Sequence, residues 1–241
     1  MSYKESFTRL INELEDDDYI GLGNPNSKIL FIGKEPGMPL NSELEHGCVK
    51  HWKSGINYSD RFDPIEDNIR KLGHTWQRYQ KLYNSIATRI GNHKQQNSKY
   101  EITFVEDVFT TEFSQLPAPN SKLAKSHPEF KSQLEKRKES FFKSDFIREF
   151  QIVLIFNPDN DYIETYDGEV EHLFGVSFDK LLFENKTKIY INKGTTPNGK
   201  PKIVIHTWQL ANFYGSIDSF IERLSQLVVE FLENNGISSL S

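Results

Sequence analysis

The run Lys28-Ile29-Leu30-Phe31-Ile32-Gly33-Lys34-Glu35-Pro36-Gly37 decides how the rest of the chain is read. Residues 28–33 are nearly all apolar and are bounded by Asn24-Pro25 before and Pro36-Gly37 after, which predicts a strand buried on both faces. The residues after Gly33 therefore form a loop at the strand's C-terminal end.

Working outward, Phe7, Leu10, Ile11 and Leu14 recur at helical spacing and end at the acidic run Asp16–Asp18. Residues 34–68 lack periodicity and hold Gly37, Pro39, Gly47, Gly55 and Pro64, so a long loop region is expected there. Thr75 is placed to cap a helix reaching about Ile90. Ile102–Phe109 reads as a second strand, followed by Thr110–Pro119 as a loop closed by two prolines. A helix is expected over about 128–150, strands at 151–157, 188–192 and 202–206, and a last helix from a Ser216 cap to Asn235-Gly236. Strands separated by helices predict one α/β domain over 1–241, a three-layer α/β/α sandwich around a short, mainly parallel sheet. Pro197-Asn198-Gly199 also permits a hairpin between the last two strands.

The composition is that of a globular protein, with 37% hydrophobic and 26% charged residues among 241. The longest apolar run, Ile152–Phe156, falls far short of a membrane span, and the start MSYKESF carries no signal-peptide core. A single cysteine, Cys48, excludes an internal disulfide framework and a cysteine-ligated iron–sulfur cluster held by one chain, and suits a reducing cytoplasm. The net charge of −5 is unevenly spread. Arg70–Tyr100 holds seven Lys or Arg and no acid, Lys122–Lys143 holds seven against three, and Lys186–Lys202 holds five against none. If the fold gathers these segments they make a phosphate-binding face, with Trp76, Tyr79 and Tyr83 as stacking groups; otherwise they are solvated helix faces and loops.

Two short motifs carry little. Gly194–Pro201 follows the phosphate-loop pattern except for Pro201, which stands where Ser or Thr must bind magnesium, and it leads into a strand rather than a helix; it is read as a turn. Glu45, His46, Cys48 and His51 offer metal-ligand types at a spacing matching no established site, so no metal is expected. The stronger signal lies at the strand ends, where Gly33–Gly37, Thr110-Thr111-Glu112 and His206-Thr207-Trp208-Gln209 begin their loops. Open α/β sheets bind ligands outside the carboxyl ends of their strands, and a carboxylate facing an imidazole there can activate water and stabilise a leaving anion.

Ile29–Gly37, with the lead-in Gly21-Leu22-Gly23-Asn24-Pro25, and Val204-Ile205-His206-Thr207 together resemble the two motifs of the uracil-DNA glycosylase superfamily, over about residues 20–235. The resemblance implies an α/β/α sandwich around a short parallel sheet, with Glu35 where the family's water-activating Asp or Asn sits. It places His206 on the histidine that stabilises the leaving base, and Thr207 where proline usually stands. The base-reading Asn is expected near Thr110 or Thr111 and is absent; Trp52 is the residue chosen for stacking on the base. Gly33, Lys34, Pro36, Gly37, Glu112, Ser114, Gln115, Trp208 and Gln209 complete the implied base- and DNA-binding set. The resemblance thus implies a monomeric DNA glycosylase that hydrolyses an N-glycosidic bond in base-excision repair, with DNA as its partner and no metal or organic cofactor. Two alternatives stand beside it: a non-catalytic nucleic-acid-binding member of the fold, and a hydrolase of small nucleosides or nucleotides.

Overall fold

The computed structural model describes residues 3–40, 42–55, 74–91, 101–165, 168–213 and 215–240. The parts of the basic segment Arg70–Tyr100 and of the loop region 34–68 that fall between these ranges lie outside the described residues.

Helix α1 (Glu5–Glu13) leads to β1 (Leu22–Gly23) and β2 (Ile29–Gly33), the strand read from residues 28–33. Then come α2 (Val49–Lys53), α3 (His74–Arg89), β3 (Val108–Glu112), α4 (Ser121–Ser126), α5 (Phe130–Arg137), α6 (Asp145–Arg148) and β4 (Ile152–Phe156). The chain closes with α7 (Glu169–Phe174), β5 (Val176–Glu184), β6 (Thr187–Thr195), β7 (Pro201–Thr207) and α8 (Ile217–Asn234).

The sheet is mixed, with seven strands in the order β1-β3-β2-β4-β7-β6-β5, and so is neither short nor mainly parallel as expected. Its centre, β3-β2-β4-β7, is parallel, while β1 on one side and β6 and β5 on the other run antiparallel. All five residues of β2 and of β4 are buried, the continuous apolar pattern that a strand covered on both faces requires. On one face Phe31 meets Tyr79 of α3 (ring centroids 5.1 Å apart), Phe104 and Phe156. On the other Phe109 packs on Phe146 at 5.2 Å and Phe7 at 6.1 Å, under α6 and α1. α8 lies against α3, tied by Lys81–Asp218 and Arg89–Glu222.

Three expectations change. Residues 104–106 form a 3-10 turn and the strand begins at Val108, so Thr110 and Thr111 lie inside β3 rather than in a loop. Thr111 is tolerated there because its hydroxyl donates to the Ile20 carbonyl at 2.7 Å. The single helix expected over 128–150 is broken by a π turn at Lys138–Phe142 and restarted at Ser144, whose Oγ accepts from the Ile147 N–H. Strand β5 has no counterpart among the expected strands. An irregularity between Phe178 and Lys180 switches which side its residues face, which disguises the alternation that marks a strand. β5 joins β6 through Asn185-Lys186, both at positive φ, a two-residue turn whose twist suits a hairpin. Gly194–Pro201 is the β6–β7 hairpin, with Gly199 in the left-handed region.

β2 connects to its neighbour β3 on one side, whereas β4 connects, by way of β5 and β6, to its neighbour β7 on the other. The chain thus turns opposite ways from two adjacent strands, and a crevice opens between their C-terminal ends. Phe31 anchors this centre: Phe31→Ala is expected to cost about 3–5 kcal/mol in chemical denaturation, since it removes a fully buried ring packed among Tyr79, Phe104 and Phe156.

Candidate active site

The loops from β2, β3 and β4 are stitched together at that crevice. Phe113 N–H donates to the Gly33 carbonyl (3.1 Å), Ser114 N–H to Lys34 (2.8 Å) and Ala118 N–H to Pro36 (3.0 Å). Gly33 is required by proximity rather than by its own φ: a Cβ there would lie 2.1 Å from Oε2 of Glu112. The cleft encloses about 330 Å³ and is lined by residues 33–38, Trp76, Tyr79, Glu112, Ser121 and Gln209, among others.

Two carboxylates share this cleft in unlike surroundings. Glu35 is oriented by two hydroxyls, Ser121 Oγ donating to Oε1 at 2.9 Å and Tyr162 Oη donating to Oε2 at 2.5 Å. Burial, then the charge of Glu35, push the Tyr162 phenol far up, so it remains a donor. Lys34 Nζ stands 3.8 Å from Asp159 and 3.5 Å from Ser121 Oγ. Glu112 has no hydrogen bond or ion pair to its carboxylate among the described residues. Burial first, and Glu35 second, raise its pKa well above the usual carboxylate range, against the pull of Arg137. One group is thus equipped to accept a proton from water and the other to give one up.

His206 is not part of this cleft. It lies at the end of β7, two strands and roughly 10 Å across the sheet from the end of β2. It lines a second cavity of about 570 Å³ with Tyr190, Lys186, Lys188, Trp208 and Phe213. Its Nε2 contacts the Asn157 carbonyl and must carry the proton, leaving Nδ1 a buried acceptor with no partner among the described residues; the same holds for the Asn157 Nδ2 donor. Burial lowers the His206 pKa to about 4, against the Asn157 bond, so the ring is neutral near pH 7.

Other expected site residues are structural. Trp52 is buried in α2, its Nε1 donating to the Gly21 carbonyl at 3.1 Å and its ring 5.0 Å from Phe7, so it is core rather than a stacking platform. Thr110 and Thr111 are buried in β3. Ser114 Oγ accepts from Leu116 N–H, Gln115 Oε1 from Tyr19 N–H, and Thr207 Oγ1 donates to the Lys188 carbonyl. Glu45 and His46 line the cleft, while Cys48 and His51 begin α2, His51 Nδ1 accepting from the Cys48 N–H. No group of three or more metal-ligating side chains converges among the described residues. No motif in the sequence singles out Tyr162 or Ser121. Asn157-Pro158, a turn after a buried strand, is the signal that leads to Tyr162.

Among the described residues, many cations of the basic segments pair with groups of the fold. Arg78 reaches the Leu210 carbonyl; Lys125 pairs with Asp159 and Asp161, Lys136 with Glu15, Lys138 with Glu135 and Glu169, and Lys143 with Glu139. Lys193 pairs with Asp179, and Lys202 is buried on the Arg148 carbonyl. Comparison with family models, curated proteins and solved structures finds no match for the chain.

The raised Glu112 pKa has a thermodynamic consequence. A carboxyl whose folded pKa exceeds its unfolded value stabilises the fold below the unfolded value and loses that contribution as pH rises through the folded one. Calorimetric melts from pH 4 to 9 should therefore show wild type losing Tm relative to Glu112→Gln as pH climbs, and equal pH slopes would contradict the assignment.

Proposed function

We propose that the chain is a hydrolase of N-glycosidic bonds related to the uracil-DNA glycosylase superfamily, acting on a nucleobase in DNA. The observation that carries this reading is the pair of unlike carboxylates at the C-terminal ends of β2 and β3. Glu35, held by Ser121 and Tyr162, orients and deprotonates the water that attacks the anomeric carbon. Glu112, its pKa raised by burial, supplies the proton that the departing base requires. Trp76, at the cleft wall, offers the face against which an extruded base stacks. The Glu35 loop after a buried central strand, His206 at the end of β7, and helices on both sheet faces support the superfamily reading. On this geometry Glu112 takes the leaving-group role that the resemblance gives to His206.

One observation favours a free nucleoside as substrate instead. Among the described residues several lysines of the basic segments already pair with acids, and the cleft itself holds Glu35, Glu45 and Glu112 against Lys34.

The test is an abasic-site assay on single- and double-stranded oligonucleotides carrying uracil, hypoxanthine, xanthine or a G·T mismatch, run beside free nucleosides. Glu35→Gln and Glu112→Gln should each slow base release by about 10²–10⁴-fold, with His206→Asn within a few-fold of wild type. Turnover of nucleosides alone selects the second reading. Salt-sensitive DNA binding with no base release from any substrate overturns hydrolysis in favour of a non-catalytic binder.

A further inference from the structure

The outer edge of the sheet carries a second, independent feature. β5 is the terminal strand beyond β6, and residues 177–180 are all exposed. Phe178 and Phe183 are 54% and 61% exposed, the two most exposed large hydrophobic side chains among the described residues. A nine-residue edge of this kind presents unpaired backbone groups and invites another strand.

The sequence of that edge specifies which strand. Residues 180–184, Lys-Leu-Leu-Phe-Glu, pair with β6 without interruption, Lys180 opposite Ile191 through to Glu184 opposite Thr187. Two copies joined edge to edge are related by a two-fold axis normal to the sheet. Such an axis keeps each side chain on its own face, so one residue must face its own counterpart. Centring the axis on Leu182 sets Lys180 opposite Glu184 and Leu181 opposite Phe183, each pair occurring twice. Centring on Leu181 instead opposes Lys180 to Leu182 and Asp179 to Phe183, and centring on Phe183 opposes Leu182 to Glu184. Only the first register matches charge with charge and apolar with apolar.

We propose that β5 is a homodimerisation edge, and that its occupant is β5 of a second copy, antiparallel and centred on Leu182. Lys180 has no ion pair among the described residues, and as a lone edge lysine it opposes most incoming strands. In this register it meets Glu184, so the same residue that discourages other strands selects this one. Leu181 and Phe183 of both copies form a four-residue apolar cluster on one face. The register also carries the exposed Phe178 of each copy to the Asn185-Lys186 turn of the other, at the rim of the cavity that holds His206.

Sedimentation equilibrium of the full chain tests this. Wild type should be a dimer at tens of micromolar. Lys180→Glu and Glu184→Lys, each placing like charges opposite one another twice, should weaken association by about tenfold or more. The combined exchange Lys180→Glu/Glu184→Lys should restore it, which a misfolded variant cannot do. A wild type that stays monomeric throughout overturns the proposal. So does a dimer indifferent to both single variants, or one the double exchange fails to rescue.

Discussion

A buried guanidinium holds the working end of the sheet together. Arg137 donates Nε to the Glu112 carbonyl at 3.1 Å, Nη2 to Thr111 Oγ1 at 2.9 Å, and Nη1 to the Tyr19 carbonyl, with its plane 4.1 Å from the Phe141 ring. Three acceptors on two chain segments are satisfied by one planar fork, which a lysine with a single nitrogen cannot reproduce. Burial lowers its pKa to about 10, which leaves it charged at neutral pH. That charge, the last turn of α5 and the C-terminal end of β3 are fixed to one another, and the position of Glu112 follows from them.

The same frame explains why two carboxylates so close in space behave differently. Glu35 sits on the loop after β2, where Ser121 reaches it from the first turn of α4 and Tyr162 from the loop after β4. Glu112 is the last residue of a strand, and its side chain occupies the space Gly33 leaves free, where no hydroxyl or amide of the described residues reaches its carboxylate. Burial without a partner and a negative neighbour act in the same direction on its proton. Environment rather than residue type separates their roles.

The parts of this arrangement legible in the sequence are those written in continuous apolar runs and helical stripes: β2, β4, β7, α1, α3 and α8. Glu35 stands out because it follows such a run. Glu112 stands out as a binding residue but in the wrong setting, since Thr110 and Thr111 are polar and only their hydrogen bonds inside the sheet reveal them as strand. Trp52 is matched to the stacking role through the resemblance alone; its indole N–H is spent on the Gly21 carbonyl and its ring on Phe7. The Ser121 and Tyr162 contacts to Glu35 span 86 and 127 residues, and no local pattern encodes them. β5 is hidden for the opposite reason, a local irregularity that breaks a pattern otherwise present.

Charge shows most plainly how far linear order departs from spatial order. The cations of residues 122–143 outnumber the acids of that segment, yet acids as distant as Glu15, Asp159 and Glu169 pair with three of them. The charge left around the cleft is negative, and on the proposed reaction this sets the chemistry. A base leaving as an anion beside Glu35 would meet a repulsive field, and His206 cannot relieve it with its ring neutral and its N–H committed to the Asn157 carbonyl. Proton transfer from Glu112 lets the base leave neutral, and Glu35 then holds the proton taken from the attacking water. Passing that proton from Glu35 to Glu112, whose burial favours the neutral form, restores the two unlike carboxylates for the next turnover.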